Sequence, residues 1–149
     1  MKALSENRKA YFNYQMLEKF EAGLVLTGQE VKSIRSGRIV LAGSYVIIQG
    51  GEAYLVNSTV PPYQPKNAPE NYEPDRPRKL LLKKSEINYL FGQTEQKGLT
   101  LIPLRVYTKK GKIKLEFALA RGKKKTDKRE TIKKRAVDRD IKRELNIRG

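Results

Sequence analysis

The sequence contains no cysteine and no histidine. Without cysteine there is no disulfide and no thiolate nucleophile, and nothing argues for an oxidising compartment. Without histidine the usual imidazole base and the commonest zinc ligand are both missing, which sets aside a triad or metal-centred enzyme. No apolar run approaches the ~20 residues that span a bilayer, and the opening MKALSENRKA is too polar for a secretory signal, so the expected location is the cytoplasm, away from any membrane. A Gly-rich phosphate loop is also lacking, and the carboxylates of Glu86, Glu95 and Glu116 are scattered with no evident pair. A magnesium-dependent carboxylate nuclease is the weakest of the functional alternatives on this ground, and no cofactor is expected.

What the chain has in excess is positive charge. Its 149 residues carry 32 Lys and Arg against 16 Asp and Glu, a net +16, which is self-repulsive in isolation and calls for a polyanionic partner. The length suits one domain able to bury a core without metal or disulfide staples. Composition breaks near Arg121: residues 1–120 hold 19 basic and 11 acidic side chains, residues 121–149 hold 13 and 5, so half the net charge sits in the last 29 residues. The expected organisation is therefore a folded unit over 1–120 and a basic tail over 121–149.

Within the first part, YFNYQMLEKFEAGLVL reads as a short helix running into a strand. TGQEVKSIRSG reads as a helix capped by Thr27, with Glu30 at capping-box spacing and Gly37 as its end. SYVIIQGGEAYLV is a hairpin about Gly50-Gly51, and LTLIPLRVYTKKGKIKLEF a second hairpin with a longer turn containing Gly111; Pro103 in its first arm marks an edge or bulge. In the second arm Ile113, Leu115 and Phe117 alternate with Lys112, Lys114 and Glu116, giving one inward face. Residues 57–79 hold six of the seven prolines in one long loop, functional or disordered. KKSEINYLFGQTEQKG predicts a helix with Ser85 as cap, Ile87, Leu90 and Phe91 on one face, and Gly98 as the stop. Antiparallel strands with helices between them fit a mainly β fold, an oligonucleotide-binding-type barrel with peripheral helices, the alternative being a two-layer α+β sandwich.

Lys32, Arg35 and Arg38 recur every three residues and, with Arg8 and Lys9, could form a phosphate-contacting patch or simply a solvated face. Glu30 by spacing alone is a capping residue. Tyr45, Tyr54, Tyr63, Tyr72, Tyr89 and Tyr107 could stack on bases, although most alternate with aliphatics and so read as core or rim packing. In the tail, Val137, Ile141 and Leu145 lie at i, i+4 and i+8 on an otherwise basic segment. Such a helix is marginal alone, so disorder when free and folding on RNA is expected, against the plainer reading of a helix packed on the domain.

Five stretches in order, NRKA (Asn7–Ala10), EAGLVLTGQEVKSIRSG (Glu21–Gly37), RPRKLLL (Arg76–Leu82), KGLTLIPL (Lys97–Leu104) and ALARGKKKTDKRE (Ala118–Glu130), resemble the small protein B family over nearly the whole chain. The resemblance implies an oligonucleotide-binding-type barrel and a C-terminal tail disordered when free. It further implies a non-enzymatic adaptor, a monomer, that grips the tRNA-like domain of transfer-messenger RNA (tmRNA) near its elbow and stands in for the missing anticodon arm. Elongation factor Tu with alanylated tmRNA, the stalled ribosome and small-subunit rRNA are the partners it implies. The tail would enter the empty mRNA channel of the stalled ribosome and fold there as a helix. Carried over by motif, the RNA-facing positions are Asn7, Glu30, Leu90 and Lys123, with Arg8, Lys9, Lys32, Arg35 and Lys124 beside them. In the tail the ribosome-contacting candidates are Lys125, Asp127, Lys128, Arg129, Lys133, Lys134, Arg135, Arg139, Ile141 and Leu145. The chain departs from the family pattern at Thr126, where an aromatic or His is common, and at Phe12, often a His.

A ribosomal protein whose basic tail threads rRNA is the structural alternative.

Overall fold

The computed structural model of the chain describes residues 2–96, 98–123 and 129. Among the described residues seven strands, all paired antiparallel, are β1 (Lys2–Glu6), β2 (Tyr14–Leu24), β3 (Tyr45–Gln49), β4 (Glu52–Val56), β5 (Arg78–Leu81), β6 (Thr100–Lys109) and β7 (Lys112–Gly122). Among the described residues three α-helices lie outside them, α1 (Arg8–Asn13), α2 (Gly28–Arg35) and α3 (Lys84–Glu95), with a single 3-10 turn at Pro65–Asn67. The sheet runs β1-β6-β3-β4-β5-β2-β7, and β7 pairs back onto β6, so six strands close a ring with β1 added along β6. Two short contacts complete the closure, β2 on β5 at Gly23↔Leu81 and Leu24↔Leu80, and β3 on β6 at Val46↔Leu101. The mainly β barrel with peripheral helices is thus the architecture found, and the sandwich alternative falls away.

Local chemistry accounts for most boundaries. The Thr27 hydroxyl accepts the Glu30 N–H at 3.3 Å while the Glu30 carboxylate accepts the Thr27 N–H at 2.8 Å, the reciprocal cap expected from the sequence. The β3–β4 turn places Gly50 and Gly51 at φ of 60° and 74°, the left-handed pair that a two-residue hairpin requires. The second hairpin turns just as tightly, through Lys110 (φ 51°) and Gly111 (φ 76°), and not through the longer loop expected. Pro103 sits at a bulge: its partner is Phe117, the next pair is Arg105 with Glu116, and Leu104 is the extra residue.

Several expectations need correction. Strand β1 forms from the polar start, and β5 forms in RKLL at the end of the proline-rich loop, neither of them evident in the sequence. That loop is tied down by the Val60 N–H on the Pro74 carbonyl (2.9 Å) and by the Tyr72 hydroxyl on the Val60 carbonyl (2.7 Å). Ser85 lies inside the first turn of α3, whose N-terminal cap is the Glu86 carboxylate accepting the Lys83 N–H at 3.1 Å. Phe91 points outward, about half exposed, while Ile87 and Leu90 do face the interior.

Two apolar clusters result. The larger fills the barrel and includes Ile34, Leu55, Leu80, Leu90, Leu101, Leu115 and Phe117; the smaller joins Ala10 of α1 to Ile102, Leu104, Ala118 and Ala120 on the outer face of β6 and β7. Strand β7 alternates cleanly from Lys112 to Phe117 and is then buried on both faces from Ala118 to Ala120, because α1 covers its outside there. A bulge between Met16 and Glu18 does the matching job on β2, turning Tyr14 and Met16 toward the α1 cluster and Phe20 toward the barrel. This switch of face is why residues 11–20 read ambiguously in the sequence.

Candidate nucleic-acid interface

A six-residue helix cannot hold itself together in water, so α1 is shaped by what clamps it. At its start the Asn7 N–H donates to the Leu104 carbonyl (2.8 Å) and the Asn7 side-chain amide to the Pro103 carbonyl (2.9 Å), seating the helix on the β6 bulge. At its end the Lys123 N–H donates to the Asn13 carbonyl (2.9 Å) and the Lys123 ammonium to the Tyr11 carbonyl (3.1 Å), a cation at a helix C-terminus. Ala10 packs between on the alanines of β7.

Clamped in this way, α1 stands as a ridge between two clefts of about 540 and 520 Å³. The first is lined by Arg8, Tyr11, Lys19 and Arg105 with Glu6 and Glu116; the second by Lys9, Asn13, Tyr14, Tyr45, Ser44 and Thr100. Asn7 lines both and is itself only 5% exposed. Arg8, Lys9 and Lys19 are exposed, as are Tyr11 and Tyr45. Arg105 is held over the Tyr107 ring at 4.9 Å and reaches the Glu116 carboxylate at 3.3 Å, which offsets one acid of the first cleft. Cations for phosphates, phenol faces for bases and amide and hydroxyl groups for base edges converge on one short helix.

The other expected site residues fall elsewhere. Glu30 is 1% exposed and its carboxylate is fully engaged: one oxygen accepts the Thr27 N–H and the Arg76 guanidinium (2.6 Å), the other accepts Arg78 Nε (2.6 Å). Burial pushes its pKa up, but the hydrogen bonds from Arg76, the Thr27 backbone and Arg78 prevail and hold it below the ordinary 4.5. Arg78, wholly buried, also donates to Ser58 and to the carbonyls of Pro74 and Arg76 at 2.9 Å, so one guanidinium joins α2, the end of β4 and the proline-rich loop. Leu90 is fully buried in the barrel core; the side chains that α3 shows to solvent are its neighbours Tyr89 and Phe91.

Lys32 is exposed on α2, but Arg35 turns to the Gly111 carbonyl (3.0 Å) and Arg38 to the Tyr63 carbonyl (2.9 Å), so the three do not form one row. Of the tyrosines considered, Tyr107 is buried and donates to Glu21, Tyr72 bonds within its loop, and Tyr45 and Tyr89 are exposed. Arg129 is exposed; Lys124, Lys125, Asp127, Lys128, Lys133, Lys134, Arg135, Arg139, Ile141 and Leu145 lie outside the described residues. Sequence reasoning missed Tyr11, Lys19 and Arg105 as members of one surface, since only strand pairing and the α1 clamp bring them together.

A small antiparallel barrel bearing a ridge of cations and tyrosines has the outline of a nucleic-acid-binding module. The SmpB protein family model matches residues 4–147, and the chain belongs to that family. It is 51% identical over 144 residues to an SsrA-binding protein of Gloeothece citriformis, covering 97% of this chain and 93% of that one. Against the SsrA-binding protein of Carboxydothermus hydrogenoformans the identity is 52% over 147 residues, covering 99% and 98%. A solved structure described as "tmRNA-SmpB: a journey to the center of the bacterial ribosome" superposes with a TM-score of 0.67 at 45% identity, over 85% of this chain and 92% of that chain. No described helix is long and apolar enough to cross a membrane.

Proposed function

We propose that this protein is a non-enzymatic RNA-binding adaptor of ribosome rescue, which holds tmRNA through the α1 ridge and its two clefts and brings it to stalled ribosomes. Its relatives are SsrA-binding proteins, and its structural neighbour is a tmRNA–SmpB assembly on the ribosome. Arg8, Lys19 and Arg105 neutralise phosphates on one side of the ridge and Lys9 on the other. Tyr11 and Tyr45 offer stacking faces, and the tRNA-like domain of tmRNA is the segment bound. Asn7 acts from below by fixing the bulge that carries the helix. Glu30 and Leu90 act through the fold: the first holds the arginine cluster beneath α2, the second fills the barrel.

The observation that carries the reading is the pair of hydrogen bonds from Lys123 to the end of α1, one from its N–H to the Asn13 carbonyl and one from its ammonium to the Tyr11 carbonyl. Lys123, early in the charged segment, is held at the end of the ridge, which supports a reading in which RNA on α1 and the tail act together. Residues 121–149 then occupy the empty mRNA channel and the decoding site, where small-subunit rRNA supplies the counter-charge for their 13 Lys and Arg residues. The strip of Val137, Ile141 and Leu145 gives a bound helix one face to seat.

A reconstituted rescue reaction separates the two parts. The protein ended after Lys123 should fold, bind the tRNA-like domain more weakly than the full chain, and fail to support tag addition. Normal tagging by the shortened protein would reduce the tail to an electrostatic tether.

A further inference from the structure

Cations and tyrosine rings explain how the cleft on the Arg8 side of α1 meets phosphates and base faces, but two carboxylates, Glu6 and Glu116, line it as well. In a cleft that only neutralised phosphates, each would be a like charge beside the ligand. Glu116 has a partner, since its carboxylate takes Arg105 at 3.3 Å. Glu6 is placed differently. It ends β1 and pairs across the sheet with Arg105, which pairs in turn with Glu116, so the three side chains stand in one row on one face. Arg105 turns along that row to Glu116 and lies over the Tyr107 ring. Glu6 is exposed and is left with no hydrogen bond or ion pair among the described residues. Arg105 also keeps a donor unused, for its Nε has no acceptor among the described residues. Tyr11, 41% exposed, supplies a ring at the same cleft, and Leu104 an apolar wall.

We infer that this cleft reads an unpaired guanosine of the bound RNA, with Glu6 as the specificity-determining residue; the inference rests on the reading that RNA lies on α1. An ionised carboxylate has two acceptor oxygens and no donor, so it hydrogen-bonds only to N–H and O–H groups. Guanine is the base whose pairing edge offers two adjacent donors, N1–H and N2–H, with the O6 acceptor beside them. The row on the sheet is the complement of that edge. Glu6 accepts N1–H and N2–H, and the neighbouring Arg105 guanidinium donates to O6. Adenine and cytosine offer one amino group next to ring-nitrogen acceptors that a carboxylate repels, and uracil one N–H between two carbonyls. A ribose hydroxyl has a single donor and carries no base preference. A pairing edge is free only where the strand is unpaired. Tyr11 then covers the face of the base, while Arg8 and Lys19 hold the flanking phosphates. The cleft volume of about 540 Å³ lies within the roughly 300–1,000 Å³ of sites that enclose a small ligand.

The test uses the full chain, labelled with ¹⁵N, and fluorescent pentanucleotides that are uridine throughout except for a central uridine, guanosine, inosine, adenosine or cytidine. The guanosine form should bind about tenfold tighter than the uridine, adenosine and cytidine forms, the discrimination of one good two-bond pair. Inosine, which lacks the N2 amino group, should fall between, and the amides of Glu6, Arg8, Tyr11 and Arg105 should shift. In Glu6→Ala the preference should vanish while the all-uridine form binds at least as tightly as to wild type, because a negative charge beside the phosphates has gone. Glu6→Gln, which keeps the shape and one acceptor, should retain part of the preference. A charge that merely supported the start of α1 would, on removal, weaken every oligonucleotide alike. That result, or a guanosine preference that survives in Glu6→Ala, overturns the inference. Equal binding of all five forms with shifts at α1 overturns it too and leaves RNA on the ridge; no shift at α1 with any form removes the reading of α1 as the RNA surface, and the inference with it. Unlabelled transcripts of the tRNA-like domain and of the small-subunit decoding region then compete separately against the guanosine form. Displacement by one of them names the RNA that supplies the guanosine, and displacement by neither contradicts the inference.

Discussion

Replacing Glu30 with Gln removes one charge from a buried side chain. Gln can still accept the Thr27 N–H, so the helix cap survives in part. What it cannot do is neutralise Arg78, which is completely buried and whose Nε lies 2.6 Å from the carboxylate. Breaking a buried pair by removing one partner costs about 3–5 kcal/mol, because the other charge stays behind without compensation. The Arg76 pairing adds less, since that side chain is 34% exposed and screened by solvent. For a chain of this length the loss corresponds to a fall in Tm of about 6–20 °C.

The pH dependence has a definite sign. Glu30 is held below its ordinary value of 4.5 in the folded state, so its contribution is present above pH ~4.5 and is lost as the pH falls through the folded-state pKa. The gap in stability between wild type and Glu30→Gln should therefore be widest near neutrality and narrow below pH ~4.5. Thermal and urea unfolding of both proteins between pH 7 and pH 3 measures this directly. If Glu30→Gln melts within about 2 °C of wild type and yet loses RNA affinity, the carboxylate reads RNA itself and the buried-cluster reasoning is wrong.

Two further variants divide core from surface. Leu90→Ala should cost about 2–5 kcal/mol in urea unfolding, the range for a fully buried leucine; an unchanged midpoint with weakened RNA binding would instead put Leu90 at the interface. Arg8→Ala with Lys9→Ala should leave stability within about 0.5 kcal/mol, since both are exposed. The same pair should flatten the slope of log affinity against log salt by about 2, one for each phosphate that the variant no longer neutralises, as read by filter binding or fluorescence anisotropy.

The parts of this molecule legible in the sequence are those set by neighbours along the chain. Thr27 and Glu30 are three residues apart and cap one helix; Gly50 and Gly51 turn one hairpin; Ile113, Leu115 and Phe117 alternate into one core. The charge step at Arg121 is equally plain. Features that depend on distant segments are not. Strand β5 has four residues and gains its place only by pairing with β4 and β2. Arg78 reads in sequence as one more surface cation, yet the carbonyls of the proline-rich loop and the Glu30 carboxylate draw it inside. The α1 ridge is the clearest case: NRKA carries Asn7, Arg8 and Lys9 by motif, while Lys19 and Arg105 join them only because β2 and β6 flank the same helix. The small outer-face residues Ala118 and Ala120, beside an otherwise alternating strand, are the signal that something packs there.

The most direct test of the account places a photo-crosslinking amino acid at Tyr11, on the α1 ridge, in cells whose ribosomes are stalling, and sequences the RNA that becomes attached. The prediction is a single dominant RNA, tmRNA, joined within its tRNA-like domain. Crosslinks from Tyr11 spread over rRNA, or no RNA product from Tyr11 at all, would contradict it.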